Sequence, residues 1–401
     1  MNKEKQILVP ELRFPEFKND GVWIDSTIEK ISSVSSGGTP SRSKPEYWNG
    51  DIPWISTTLI EYNKIKIANE FITELGLNNS STKLYPIGTI LMAMYGQGKT
   101  RGKVAILDIK AAINQACAAI SLKKGMNIEF VFQNLSSRYE EIRKISNEGG
   151  QKNLSSSLIK KISFIYPKIE SKEQQKIANC LSSLDTLITA ETDKLENLKD
   201  HKKGLLQQLF PANGETKPQF RFPEFENDGD WEEKELGDIC AITTGRLDAN
   251  AMIENGKYRF YTCAKNFYRI DDFAFDTEAL LVSGNGANVG YIHYYKGKFN
   301  AYQRTYVLDD FDENIIYLKY YLEHNLSKRI SIEKKEGNTP YIVKSTLSEM
   351  VIYIPKDPKE QQKIANCLSS ADAFIEAQTT KIKSLKKHKK GLMQQLFPNS
   401  L

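Results

Sequence analysis

Two glycine-rich stretches hold side chains able to bind a polar ligand. Residues 91–104 carry Gly96, Gly98 and Gly102 beside Gln97, Lys99 and Arg101, and residues 281–292 carry Gly284, Gly286 and Gly290 beside Asn285 and Asn288. Three more loops answer one another across the two halves of the chain. SSGGTPS at 35–41 falls where the second half has TTGR at 243–246; AINQ at 112–115 answers NAYQR at 300–304; GGQK at 149–152 answers EGNTPY at 336–341. Glycine lets a backbone come close to a ligand. Arg and Lys suit guanine edges, Asn and Gln suit adenine, and all of them reach phosphate. Taken singly, each of these glycines is better read as a turn residue beside a solvated side chain. The matched placement of the whole set favours binding.

The chemistry of catalysis is missing. YGQGKT at 95–100 resembles the end of a phosphate-binding loop, but Ala93 stands where the first glycine is required and a β-type run follows instead of a helix, so nucleotide binding is rejected there. No FxGxG with a [DNS]PP[YF] partner, no GxSxG and no HExxH occurs. The NDG triplets at 19–21 and 227–229 read as turns, not as paired catalytic acids. Five cysteines without a CxxC and four histidines form no metal-ligand spacing. This cysteine usage predicts a reducing cytoplasm. No apolar run of 18 residues exists, so no membrane span is expected.

The elements that must position these loops are repeated. RFPEF at 13–17 returns 208 positions later at 221–225; EQQKIANCLSS at 173–183 returns 187 positions later at 360–370; HKKGLLQQLFP at 201–211 returns, with one change, at 388–398. Between the repeats lie two different inserts, from about Trp23 to Pro167 and from about Trp231 to Pro355, the first being the longer. Both inserts open with short β-type runs: 89–94, 103–107 and 118–122 in the first, 279–282, 291–295 and 305–308 in the second. A helical stretch follows in each, at 127–146 and 313–329, making each insert an α/β (α+β) domain. A duplicated frame around unlike inserts suggests one task performed twice on two targets.

The repeated helices begin with capping signals: Asp357-Pro358 with Glu360 in the second, and Ser171 to Gln174 as a shifted capping box in the first. Both end at Leu-Phe-Pro. Their apolar residues follow a heptad, through Ile177, Leu181 and Leu184 to Leu209 in one and Ile364, Leu368 and Ala371 to Leu396 in the other. Polar residues interrupt the seam at matching places: Glu191 with Gln378, and Lys202 with Lys389. Matching defects in one chain favour pairing of the two helices with each other over a generic dimerisation coil. Because a domain's ends often lie close together, the pair is predicted to be antiparallel. A helix over 173–210 would extend roughly 57 Å at about 1.5 Å per residue. The 401 residues have 40% apolar content and a net charge of +5, which is compatible with nucleic acid without demanding it.

This arrangement resembles the specificity subunit of type I restriction-modification systems. The resemblance rests on PELRFPEF (10–17), SGGTPS (36–41), EYWNGDIPWIS (46–56), the two EQQKIA helix starts and the two QQLFP helix ends, and it spans the whole chain. The second insert lacks the SGGTPS and EYWNGDIPWIS text. The resemblance implies a division into an N-terminal segment with the first target recognition domain (1–168), a first coiled-coil helix (169–211), a linker with the second recognition domain (212–355) and a second helix (356–401). It implies that each domain reads half of an asymmetric double-stranded DNA site and that the helices set the spacer. It further implies docking of two modification subunits, which carry S-adenosylmethionine, with restriction subunits as further partners. The chain itself would bind no cofactor and perform no catalysis. Candidate DNA contacts are Thr39, Ser41, Gln97, Lys99, Arg101, Gln115 and Lys152 in the first domain. In the second they are Arg246, Lys265, Asn266, Asn285, Asn288, Arg304 and Tyr341. The alternative is a coiled-coil scaffold whose globular blocks bind proteins, which would show no salt-dependent affinity for DNA.

Overall fold

The computed structural model describes residues 8–96, 99–145, 153–212, 214–333 and 341–398. The chain divides into two compact units, Met1–Thr192 with Lys381–Leu401, and Asp193–Thr380. Each unit holds one insert and one half of each long helix, Glu173–Leu209 and Pro358–Leu396.

The first unit is built on an antiparallel sheet ordered Ser32–Ser36, Cys117–Leu122, Ile90–Ala93 and Val104–Leu107, with the short strand Lys64–Ile65 added in parallel at the edge. The inner strands are buried on both faces, which is why they read as apolar runs and not as alternating ones. One face, with Ile90, Met92, Val104 and Ile120, packs against Phe130, Val131 and Leu135 of the helix Ile128–Ser137. Ile177 and Leu181 of the first long helix and Leu396 and Phe397 near the end of the second join that core. The opposite face, with Leu91, Ala105, Leu107 and Ala119, is covered by Ile55, Tyr85 and Ile113, which belong to a second sheet of four strands ordered Glu70–Ile72, Trp48–Ile55, Ala111–Ile113 and Leu84–Tyr85. A two-strand ribbon, Ile24–Thr27 with Ser163–Tyr166, closes the insert.

The second unit repeats the plan on a six-stranded sheet ordered Ala241–Thr244, Thr305–Asp309, Phe275–Ser283, Ile292–Ala301, Tyr258–Tyr261 and Tyr268–Ile270. Leu280, Val282, Ile292 and Leu308 face Tyr317, Leu318 and Leu322 of the helix Ile315–Glu333, together with Ile364, Leu368, Leu209 and Phe210 from the long helices. Its other face holds Tyr261, Leu281, Phe299 and Val307. The ribbon Glu232–Glu235 with Val351–Ile354 corresponds to the one in the first unit. The helix expected over 127–146 is broken at Arg138 into Ile128–Ser137 and Tyr139–Lys144; Arg138 caps both pieces and turns its guanidinium onto Glu141 and the Ser163 carbonyl.

Within each unit the long helices run antiparallel. In the first, Lys389 Nζ lies 2.6 and 2.7 Å from the Asp185 carboxylate and Lys381 Nζ 2.6 Å from Glu191, so one number rises as the other falls. In the second, Lys202 Nζ meets Asp372 at 2.6 Å. The lysine breaks in the seam are therefore reciprocal ion pairs: Asp185 and Asp372 are repeat mates, as are Lys202 and Lys389. The same carboxylates reach into the inserts, Asp185 accepting from Gln133 Nε2 at 2.6 Å and Asp372 from the Tyr320 hydroxyl at 2.7 Å. The seam does more than pair helices, because its outer apolar residues belong to the domain cores.

Local capping departs from expectation in one respect. Asp357 Oδ1 caps the second helix through the Lys359 N–H (2.8 Å), and Ser171 Oγ receives the Glu173 N–H (3.2 Å). Gln174, the capping-box residue expected in the first helix, instead accepts from the Asn127 N–H (3.0 Å), and the neighbouring Glu173 and its repeat mate Glu360 are engaged elsewhere. Their buried carboxylates each accept two hydrogen bonds from the arginine of RFPEF, Arg13 at 2.8 and 2.8 Å and Arg221 at 2.8 and 2.7 Å. The repeated blocks thus fit one another, the first part of each repeat docking on the helix start that follows it. The chain before and after is tied alike: Leu12 N–H donates to the Gln395 carbonyl (2.9 Å) and Phe220 N–H to the Gln208 carbonyl (2.9 Å).

Candidate nucleic-acid interface

At one end of each large sheet, three or four loops are stitched together by backbone hydrogen bonds, in the same pattern in both units. In the first, Gly37 N–H donates to the Cys117 carbonyl (3.4 Å), Met94 N–H to Ala116 (2.8 Å) and Leu154 N–H to Met94 (2.9 Å). In the second, Gly245 N–H donates to Thr305 (3.3 Å), Gly284 N–H to Arg304 (2.8 Å) and Ile342 N–H to Gly284 (2.9 Å). Glycine is required at the first crossing: a Cβ on Gly37 would collide with the Ile113 carbonyl, and one on Gly245 with that of Ala301. Three of the four loop correspondences read from the sequence are thus physical neighbours; of the fourth, residues 149–152 and 336–340 lie outside the described residues.

The second unit gathers its candidates closely. Asn285 forms a β-bridge with Tyr341, whose side chain is 59% exposed. Asn288 Nδ2 donates to the Cys263 carbonyl (2.9 Å), fixing the loop that exposes Lys265 and Asn266. The carbonyl of Arg304 receives Gly284 N–H and the Cys263 thiol (3.3 Å), while the Arg304 side chain is exposed. Arg246 is exposed beside Leu247, which bridges Tyr302. Among the described residues no ion pair engages Arg246, Lys265 or Arg304, so their charges are available to an anion. His293 sits beneath, with Nε2–H donating to the Ala264 carbonyl (2.9 Å); burial lowers its pKa from 6.5 by disfavouring the charged ring.

In the first unit Thr39 Oγ1 donates to Gln115 Oε1 and Ser41 Oγ pairs with Ser43 Oγ at 2.9 Å. Lys99 has an exposed side chain on a turn whose carbonyl accepts from the Tyr139 hydroxyl (2.6 Å). Arg101 is placed differently from its neighbours: it is only 8% exposed and donates to the Arg143 carbonyl (2.9 Å), so it braces the turn from inside. Gln97 and Lys152 lie outside the described residues.

Two arginines near these loops escaped the sequence reading. Arg42 Cζ stands 3.7 Å from the Trp48 ring centroid, and Arg259 Cζ stands 4.4 Å from the rings of both Phe267 and Tyr295. Arg42 could have been noticed, since it lies between Ser41 and Ser43 and just before the two tryptophans of EYWNGDIPWIS. The partners of Arg259 lie too far apart in sequence to announce themselves. Among the described residues no cluster of three metal-binding side chains occurs, and no helix is long and apolar enough to cross a membrane.

The comparisons with known proteins agree with this geometry. The specificity subunit of the type I restriction enzyme EcoDI from Escherichia coli is 38% identical over 156 residues, a match spanning 39% of this chain and 34% of that subunit. That of MjaIX from Methanocaldococcus jannaschii is 28% identical over 366 residues, 84% of each chain. The crystal structure of the S subunit of a type I restriction-modification system from M. genitalium superposes with a TM-score of 0.63 at 18% identity, covering 98% of this chain and all of that one; it supports the fold. The sequence model of the Type I restriction modification DNA specificity domain matches twice, at residues 22–200 and 228–387, each match taking in one insert and most of the helix after it. With two copies of that domain covering most of its length, the chain belongs to the type I restriction-modification DNA specificity family.

Proposed function

We propose that the chain reads an asymmetric, bipartite double-stranded DNA site, one half through the loops of each unit. The observation that carries this is the repeated rim. The same backbone hydrogen bonds hold the same loops twice, while the side chains they display differ: Thr39, Ser41, Lys99 and Gln115 in one, Arg246, Lys265, Asn285 and Arg304 in the other. One scaffold with two sets of donors suits two different base sequences. Exposed lysines and arginines around the rims supply salt-dependent phosphate attraction, and the loop side chains then select base edges.

In this reading the antiparallel helices fix the distance between the half-sites and dock two modification subunits. Those subunits bring S-adenosylmethionine and methylate adenine, and restriction subunits join to cut unmodified DNA; this chain supplies the address. The test is a genome-wide map of methylated adenines in cells carrying the chain with its modification subunit and in cells lacking only the chain. A split, asymmetric motif that vanishes with the chain is the expected result. A map unchanged by the deletion, together with DNA affinity that does not fall with salt, would overturn the reading in favour of a protein-binding scaffold.

A further inference from the structure

Arg42 looks like a residue placed to touch DNA: it is exposed, positive and on the loop that carries Thr39 and Ser41. Its surroundings argue otherwise. Both ends of its guanidinium are occupied by Glu70, Nη1 to Oε1 at 2.5 Å and Nη2 to Oε2 at 3.2 Å. Its plane lies over Trp48, with Trp54 5.2 Å away and the two indoles edge to face. Those indoles hold the loop from either side of Thr39 and Pro40: Trp54 Nε1–H donates to the Gly38 carbonyl (3.0 Å) and Trp48 Nε1–H to the Ser41 carbonyl (3.1 Å). Trp54 and Glu70 are cross-strand partners in the four-stranded sheet, so the whole assembly is anchored on paired backbone.

We propose that Arg42 is a positioning residue: with Glu70, Trp48 and Trp54 it clamps the 38–43 loop in its reading conformation and makes no DNA contact of its own. This rests on the reading of the first unit as a half-site reader. An ion pair this exposed, 56% and 39% at its two side chains, adds little to global stability. Its effect is local, and it holds Thr39 and Ser41 where a base edge can be selected, a task sensitive to small displacements.

Two substitutions separate the clamp from a direct contact, Arg42→Gln and Glu70→Gln. In the full chain, amide hydrogen exchange of the 38–43 segment should accelerate about tenfold or more in both variants, with the unfolding midpoint nearly unchanged. Exchange unchanged in either variant overturns the clamp, whatever the DNA result. In the complex with the modification subunit, both variants should lose about tenfold to hundredfold discrimination at the first half-site, with the second half-site intact and the salt slope unaltered. The double variant should be no worse than either single one. If instead Arg42→Gln weakens binding with a shallower salt slope while Glu70→Gln binds as well or better, Arg42 contacts phosphate directly and the proposal fails. Absence of any bipartite motif in the unmodified chain would strike the half-site reading alone, and the exchange measurement would still decide the clamp.

Discussion

Arg13 and Arg221 show how much one side chain can carry in this molecule. Each gives both oxygens of a buried glutamate a hydrogen bond, and hydrogen bonding to Glu360 is the main reason the Arg221 pKa is raised further. Arg13→Met would strand Glu173, 0% exposed at its side chain, without its partner. A loss of about 3–5 kcal/mol is expected in chemical unfolding, and most of it should return in the double variant Arg13→Met with Glu173→Met. At the rim, Arg304→Ala should cost about 1–3 kcal/mol of discrimination at the second half-site and leave the first untouched, measurable by competition between single-base variants of the site. Burial lowers the pKa of His293 and of His324, so the unfolded chain binds protons that the folded one refuses. Stability should therefore fall as pH drops below 6.5, the ordinary value, and His293→Asn with His324→Asn should flatten that decline. None of these partnerships could be read from spacing: Glu173 is 160 positions from Arg13, and nothing in RFPEF says which carboxylate it needs.

The long helices were the most legible elements, because a heptad and its polar breaks are written in local sequence and were written twice. Even their direction followed from the position of the insert between them. What the seam did not disclose was the identity of its ionic partners, Asp185 and Asp372, which lie beside the apolar stripe and were not counted in it. The central strands of both sheets were also legible as short apolar runs. The short edge strands of the first unit were not: Lys64–Ile65 in the large sheet and Leu84–Tyr85 in the covering sheet are two residues each, too short for any periodicity, and they exist because neighbouring strands supply their hydrogen bonds. An insertion of one heptad in both helices, in phase with the seam, should lengthen each by about 10 Å. The preferred spacer should then grow by about three base pairs, at roughly 3.4 Å each along the duplex. A methylation map of the variant would show the same half-sites farther apart; an unaltered spacer would mean that something other than the helices sets it.

For the molecule as a whole, the two bonds Leu12–Gln395 and Phe220–Gln208 carry a consequence about chain order. The segment leading into the first insert lies against the end of the second helix in the way that the segment leading into the second insert lies against the end of the first. The text of residues 212–219 makes that passage covalently on one side. Placed between Pro398 and Leu12, the same eight residues would make it on the other, and the backbone would become a ring with two equivalent seams. A gene opened between residues 214 and 217 and closed in this manner should yield a protein with an unfolding midpoint close to the original and the same methylation motif. Which insert is translated first is then an accident of where the ring is cut, and the address the protein reads is a property of the closed circuit.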